Sequence, residues 1–159
     1  MENKTKMNNM QGMGYKKFTV MMIVSFITMY LIMFLNIVDI NHFYVSATRI
    51  YMALLMAASM GVIMMLMMGN MYPDKKTNTG IIIGSILIFG LILAALRTQT
   101  PIGDVQYMKA MIPHHSSAIM TSENADIKDP EVRKLADGII AAQKKEIAEM
   151  KALLIKLNK

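Results

Sequence analysis

FTVMMIVSFITMYLIMFLNIV, residues 18–38, holds no charged side chain, no glycine and no proline. Wound as a helix with a rise of about 1.5 Å per residue, such a run crosses a hydrocarbon layer roughly 30 Å thick. Lipid offers the backbone amides no partner, so a spanning segment must satisfy them within itself, as a helix does. Working outward from this stretch, two further apolar runs follow at residues 50–68 and 80–96, the last bounded by Thr79 and Arg97. The sequence therefore predicts an all-α protein with three transmembrane helices between residues 18 and 97. Composition agrees: 54% of the 159 residues are hydrophobic and the mean hydropathy is +0.37, too apolar for an ordinary soluble domain.

The charges orient these spans. Lys4, Lys6, Lys16 and Lys17 precede the first and Lys75 with Lys76 follows the second, whereas the opposite ends carry only Arg49 and Arg97. Positive residues stay on the cytoplasmic side. The expected arrangement is a multi-pass protein of the cytoplasmic membrane with the lipid bilayer as its first partner. Residues 1–17 form a cytoplasmic tail rich in Met and Lys, and everything after Arg97 lies outside. The net charge of +6 does not imply nucleic acid, because the basic residues end apolar runs or alternate with acids. Val45-Ser46-Ala47 has the small-residue pattern of a signal-peptidase site, but the preceding run is long and Asp39 and His42 intervene, so a retained anchor is expected.

At Thr98-Gln99-Thr100-Pro101-Ile102-Gly103 the composition turns from apolar to mixed charge, which sets a boundary and an extracytoplasmic domain over 98–159. Apolar and small residues recur at helical spacing over 104–125 and again over 130–157. The intervening Asp126-Ile127-Lys128-Asp129-Pro130 supplies an N-cap in Asp129, a first-turn proline and, in Glu131, an acid at the positive end of the dipole. The domain is expected to be a helical hairpin.

Its two predicted seams are polar at the centre. Asp104, Met108, Met111, His115, Ala118, Ser122 and Ala125 follow steps of four and three, and so do Val132, Ala136, Ile139, Gln143, Glu146, Met150, Leu153 and Leu157. Antiparallel folding sets His115 against Gln143, Met111 against Glu146 and Met108 against Met150. Burying such groups without partners costs several kcal/mol. A metal ion would supply the reason. With no cysteine and 20 methionines, soft-metal chemistry falls to thioether and imidazole, the ligands of Cu(I), and Ag(I) behaves alike. On this alignment Met108, Met111, His115 and Met150 converge on one ion, while Glu146 and Gln143 orient the imidazole or close the site. The plainer alternative is a hydrogen-bonded core histidine with methionine as apolar filler. His114 projects roughly 100° away from His115, and Pro113 removes a helical bond to the Lys109 carbonyl.

The residues Tyr107-Met108-Lys109-Ala110-Met111-Ile112-Pro113-His114-His115, Ala118-Ile119, Asp129-Pro130-Glu131-Val132, Leu135-Ala136, Ile139-Ile140, Gln143, Glu146-Ile147 and Met150 resemble the ferritin-like family catalogued as domain of unknown function 305. The likeness covers roughly residues 103–157 and rests on Met-Ile-Pro-His-His and Gln-x-x-Glu-Ile-x-x-Met. It implies copper binding and copper or silver resistance, carried onto Met108, Met111, His114, His115, Glu146 and Met150. Many members resemble two hairpins in tandem, so a single hairpin here implies half of a four-helix bundle, completed in a homo-oligomer, a dimer or higher.

The second span carries Met52, Met56, Met60, Met64, Met67 and Met71 within about 120° of one another, and the third carries Gly80-x-x-x-Gly84, a spacing for close helix approach. Three spans so marked are similar to the eukaryotic copper-uptake transporters, with the orientation reversed. The expected function is membrane-anchored copper binding for sequestration, tolerance or hand-over to other copper-handling proteins. The alternatives are a copper-conducting transporter using the Met stripe and a structural or assembly module without metal. No enzyme is expected, since neither a nucleophile and base pair, a phosphate loop nor the Glu-x-x-His of di-iron bundles occurs in the hairpin.

Overall fold

The computed structural model describes residues 2–157, with side chains from residue 14 onward. Of the expected tail 1–17, the side chains of 1–13 thus lie outside the described residues. The chain is all helical among those residues: α1 (Glu2–Ile32), α2 (Ala47–Met68), α3 (Lys75–Thr98), α4 (Asp104–Asn124) and α5 (Pro130–Leu157), with single 3₁₀ turns at Ile40–His42 and Gly69–Met71. Three segments, Gly14–Ile32, Ala47–Met71 and Lys75–Thr98, are long and apolar enough to cross a membrane. Two compact units form. One runs up to Leu31 and resumes over Ile50–Thr100; the other joins Ile32–Arg49 to the chain from Pro101 onward.

In the first unit Phe18, Met64, Met65 and Tyr72 make a buried cluster. Tyr72 stacks on Tyr15 at 5.2 Å and meets the edge of Phe18 at 5.9 Å. Tyr15 donates its hydroxyl to Asn78 Oδ1 at 2.7 Å, and Asn78 Nδ2 donates to the Tyr72 carbonyl at 2.8 Å. Helix α3 starts at Lys75, ahead of Gly80, because Asp74 caps it by accepting the Lys76 N–H at 3.0 Å. It ends where Gln99 turns left-handed, with φ 53°. Close helix approach occurs at Gly61, where an added Cβ would lie 3.0 Å from Ser85 Oγ. Gly80 and Gly84, expected to serve this purpose, have nothing within 4 Å of such a Cβ.

In the second unit the first apolar run departs from a simple span. Helix α1 stops at Ile32 rather than Val38, and Met33–Asn36 turn. The reason is tertiary contact: Asn36 Nδ2 donates to Ser117 Oγ at 2.6 Å and the Val38 N–H to Ser116 Oγ at 2.8 Å, bonds a continued helix would forgo. Arg49 donates to the Met33 carbonyl and sits 4.3 Å over the Phe34 ring, which itself stacks on Phe43 at 4.1 Å. The expected boundaries of 98–159 thus leave out a segment, residues 32–49, that packs with the hairpin.

Helices α4 and α5 pack against each other. Asp129 caps α5 as expected, its Oδ1 accepting the Glu131 and Val132 N–H groups at 2.8 and 3.1 Å. Met108, Ile112, Ile119, Ile147 and Leu154 form the core, with Val105, Ile140 and Met150 against it. Each seam is rotated by about one residue from the expected set. Helix α5 buries Ala136, Ile147 and Leu154 and leaves Ile139 and Leu153 37% and 48% exposed. Both stripes obey four-three spacing, but the one containing Ile140, Ile147 and Leu154 buries more hydrocarbon than the one containing Glu146, and area decides. Pro113 is buried inside a continuous α4. Gly138, in the first third of α5 but well inside the helix, is exposed, and a Cβ added there would meet nothing within 4 Å; relative to alanine such a glycine destabilises a helix by about 0.5–1 kcal/mol.

Candidate functional site

His115 is seated on α4 with its side chain only 10% exposed. Its Nδ1 lies 2.9 Å from the Met111 carbonyl one turn back, and its Nε2 lies 2.7 Å from Glu146 Oε2. A carbonyl only accepts, so Nδ1 carries a hydrogen and donates it. The tautomer is thereby fixed, and Nε2 is the atom left for chemistry. Nε2 faces the Glu146 carboxylate oxygen directly, the one side chain that bonds this nitrogen among the described residues. Glu146 is 52% exposed and leans back from the flank of α5 over the buried ring.

The one-residue rotation explains the partner. The expected register sets His115 opposite Gln143 and Met111 opposite Glu146; instead His115 bonds Glu146, one turn further along α5. Gln143 remains on the buried side, its Oε1 shielded from solvent and without a hydrogen-bond partner among the described residues. Met108 is 5% exposed in the hairpin core, and Met150 packs against the same cluster. Met111 contributes its carbonyl to His115, its side chain half-buried. His114 is exposed, its ring centroid 6.0 Å from that of His115. Among the described residues no three His, Asp or Glu side chains gather into one group; the expected donors are mainly thioethers.

Sequence reasoning missed a second polar centre on the other side of α4. Ser116, fully buried, accepts the Val38 N–H, and its Oγ lies 2.9 Å from His42 Nδ1. Gln106 Oε1 accepts the Ala47 N–H at 3.0 Å. Burial holds the His42 imidazole below its ordinary value, the Lys151 ammonium adds to this, and Asp39 opposes both. Asp39 is itself held low, chiefly by the Asn41 backbone N–H that it accepts. A cavity of about 280 Å³ between Asp39, His42, Lys144 and Lys151 is floored by Ile119 and Ile147. The available signal is a run of polar residues, Asn36, Asp39, Asn41 and His42, between two spans, matched by Ser116-Ser117 beside the histidine pair.

The methionine stripe of α2 divides. Met64 is buried and Met60 partly buried in the first unit's core, whereas Met52, Met56, Met67 and Met71 are exposed.

Comparison with known proteins locates the hairpin. The family described as domain of unknown function (DUF305) matches residues 92–159, the end of α3 and all of α4 and α5. The protein named "Uncharacterized protein L153" of Acanthamoeba polyphaga mimivirus is 42% identical over 106 residues, covering 65% of this chain and 68% of that protein. No solved structure matches. A match over the hairpin that carries His115 and Glu146, together with a relative aligned over two thirds of its own length, makes this chain a member of the domain of unknown function 305 family.

Proposed function

We propose that this protein is a membrane-anchored Cu(I)-binding protein, taking Ag(I) in the same way, with the ion held by the outward-facing α4–α5 hairpin for sequestration or hand-over rather than catalysis. The observation that carries the reading is His115, whose Nδ1–H is committed to the Met111 carbonyl so that Nε2 is presented to a ligand. Support comes from the donors around it. Met108 and Met150 share one core cluster, the Gln143 Oε1 lacks a partner among the described residues, and the chain has no cysteine to compete. Loading exchanges the Nε2 contact with Glu146 for the ion, and a metal takes only an imidazole nitrogen that carries no proton. Binding therefore weakens on acidification while the thioethers stay available.

The test is a Cu(I) titration of the full chain in detergent against a Cu(I) chelator, with the metal kept reduced. His115→Ala is expected to lower affinity by at least roughly tenfold, the scale on which even supporting groups act. Met120→Ala should leave it unchanged, and Glu146→Gln should fall between. Equal affinity for the parent and His115→Ala would return these residues to an ordinary polar core. Copper entry into sealed vesicles bearing the chain would speak instead for conduction along the second span.

A further inference from the structure

We infer that α5 carries the interface by which two copies of this chain associate, crossing antiparallel at Gly138. Viewed down α5, the residues packed on α4, Ala136, Ile140, Gln143, Ile147 and Leu154, occupy one side. About 150° away lies a second stripe, Glu131, Leu135, Gly138, Ala142 and Lys145, all exposed. A shallow groove lined by Leu135, Gly138, Ile139 and Ala142, with Glu131 and Lys134 at its edge, marks it, and Leu135 is 65% exposed. Nothing among the described residues explains the glycine. Its φ is that of any helical residue, and a Cβ there would meet no atom within 4 Å. A helix interior weakened for no internal reason, between Leu135 and Ala142 on the same face, fits a backbone that another helix approaches closely.

Charge selects the occupant and its direction. Glu131 and Lys145 stand equally far on either side of Gly138, two turns each way along one face, and Lys145 is tied within its own helix only by an exposed contact of 3.8 Å to Glu149. A second α5 running antiparallel and crossing at Gly138 therefore sets Glu131 of each copy beside Lys145 of the other, closing both ends of the contact with ion pairs. A parallel copy would set Glu131 against Glu131 and Lys145 against Lys145. At a shallow crossing of about 20° these side chains still reach one another. The contact is isologous, as a closed dimer requires, and it adds apolar burial that a lone hairpin lacks. It does not depend on metal, so it stands or falls separately from the copper reading.

The absence of native cysteine makes a direct test possible on the full chain in detergent. Glu131→Cys with Lys145→Cys in one chain should form disulfide-linked dimers under mild oxidation. Residues 131 and 145 are about 21 Å apart along the helix, beyond any bridge within one chain. Either single variant should dimerise far less, and mixing the two singles should give the heterodimer. Gly138→Leu in the double-cysteine background should cut the yield several-fold with helicity by circular dichroism unchanged. Strong dimerisation by the single variants would mean a parallel pair, and no dimer from the double variant, or an undiminished yield with Gly138→Leu, would remove the interface from this face.

Discussion

Ser116 is a hydroxyl without solvent, and its two partners come from a distant part of the chain. It accepts the Val38 N–H, and its Oγ also hydrogen-bonds His42 Nδ1 at 2.9 Å. Ser116→Ala would strand both groups. The expected loss is about 1–3 kcal/mol of the second unit's stability, read from denaturant unfolding in detergent; an unchanged midpoint would mean that water replaces the hydroxyl. His42 makes a second prediction, in pH. Its folded-state value is lowered, by burial first, so the unfolded chain takes up the proton before the folded one does. The stabilisation is fully present above the unfolded value of about 6.5 and is lost as pH falls through the lowered folded value. Asp39, also lowered, acts in the same sense but only in the carboxylate range, so the windows separate. Unfolding midpoints measured from pH 8 downward should decline first in the histidine window, and His42→Gln should remove that first decline.

Among the elements, α5 shows what a sequence can and cannot announce. Its start is legible because Asp129 caps it and Pro130 opens it through local bonds alone, two N–H groups on one carboxylate oxygen. Asp129→Ala should therefore destabilise the hairpin by about 0.5–2 kcal/mol, measured by thermal loss of helicity, and Asp129→Ser should restore most of it. The buried face of α5 is less legible. Ile139-Ile140 and Glu146-Ile147 offer two overlapping stripes with the same spacing, and only contact with α4 chooses between them. That choice sets the carboxylate beside His115, where it bonds Nε2, and leaves Gln143 in the shielded position. The membrane-length helices are readable from hydropathy alone. The end of α1 at Ile32 is not, because what stops it is a pair of serines on α4.

For the molecule as a whole, the orientation we propose rests on lysine placement. A reporter that needs the extracytoplasmic space should be active when fused after Lys159, and one that needs the cytoplasm should be silent there; the reverse pattern would invert the proposed arrangement and put the hairpin inside. The second unit is discontinuous: residues 32–49 belong to it, and so does the chain from Pro101, with Ile50–Thr100 lying between them in sequence. Ribosomes supply its two pieces at different times. At roughly 5–20 residues per second, Val38 and His42 are made about 4–16 s before Ser116 exists to receive them. During that interval both intervening hydrophobic segments must be handed to the bilayer. The second unit therefore closes only after the last of these segments has been made, which ties its folding to completed insertion.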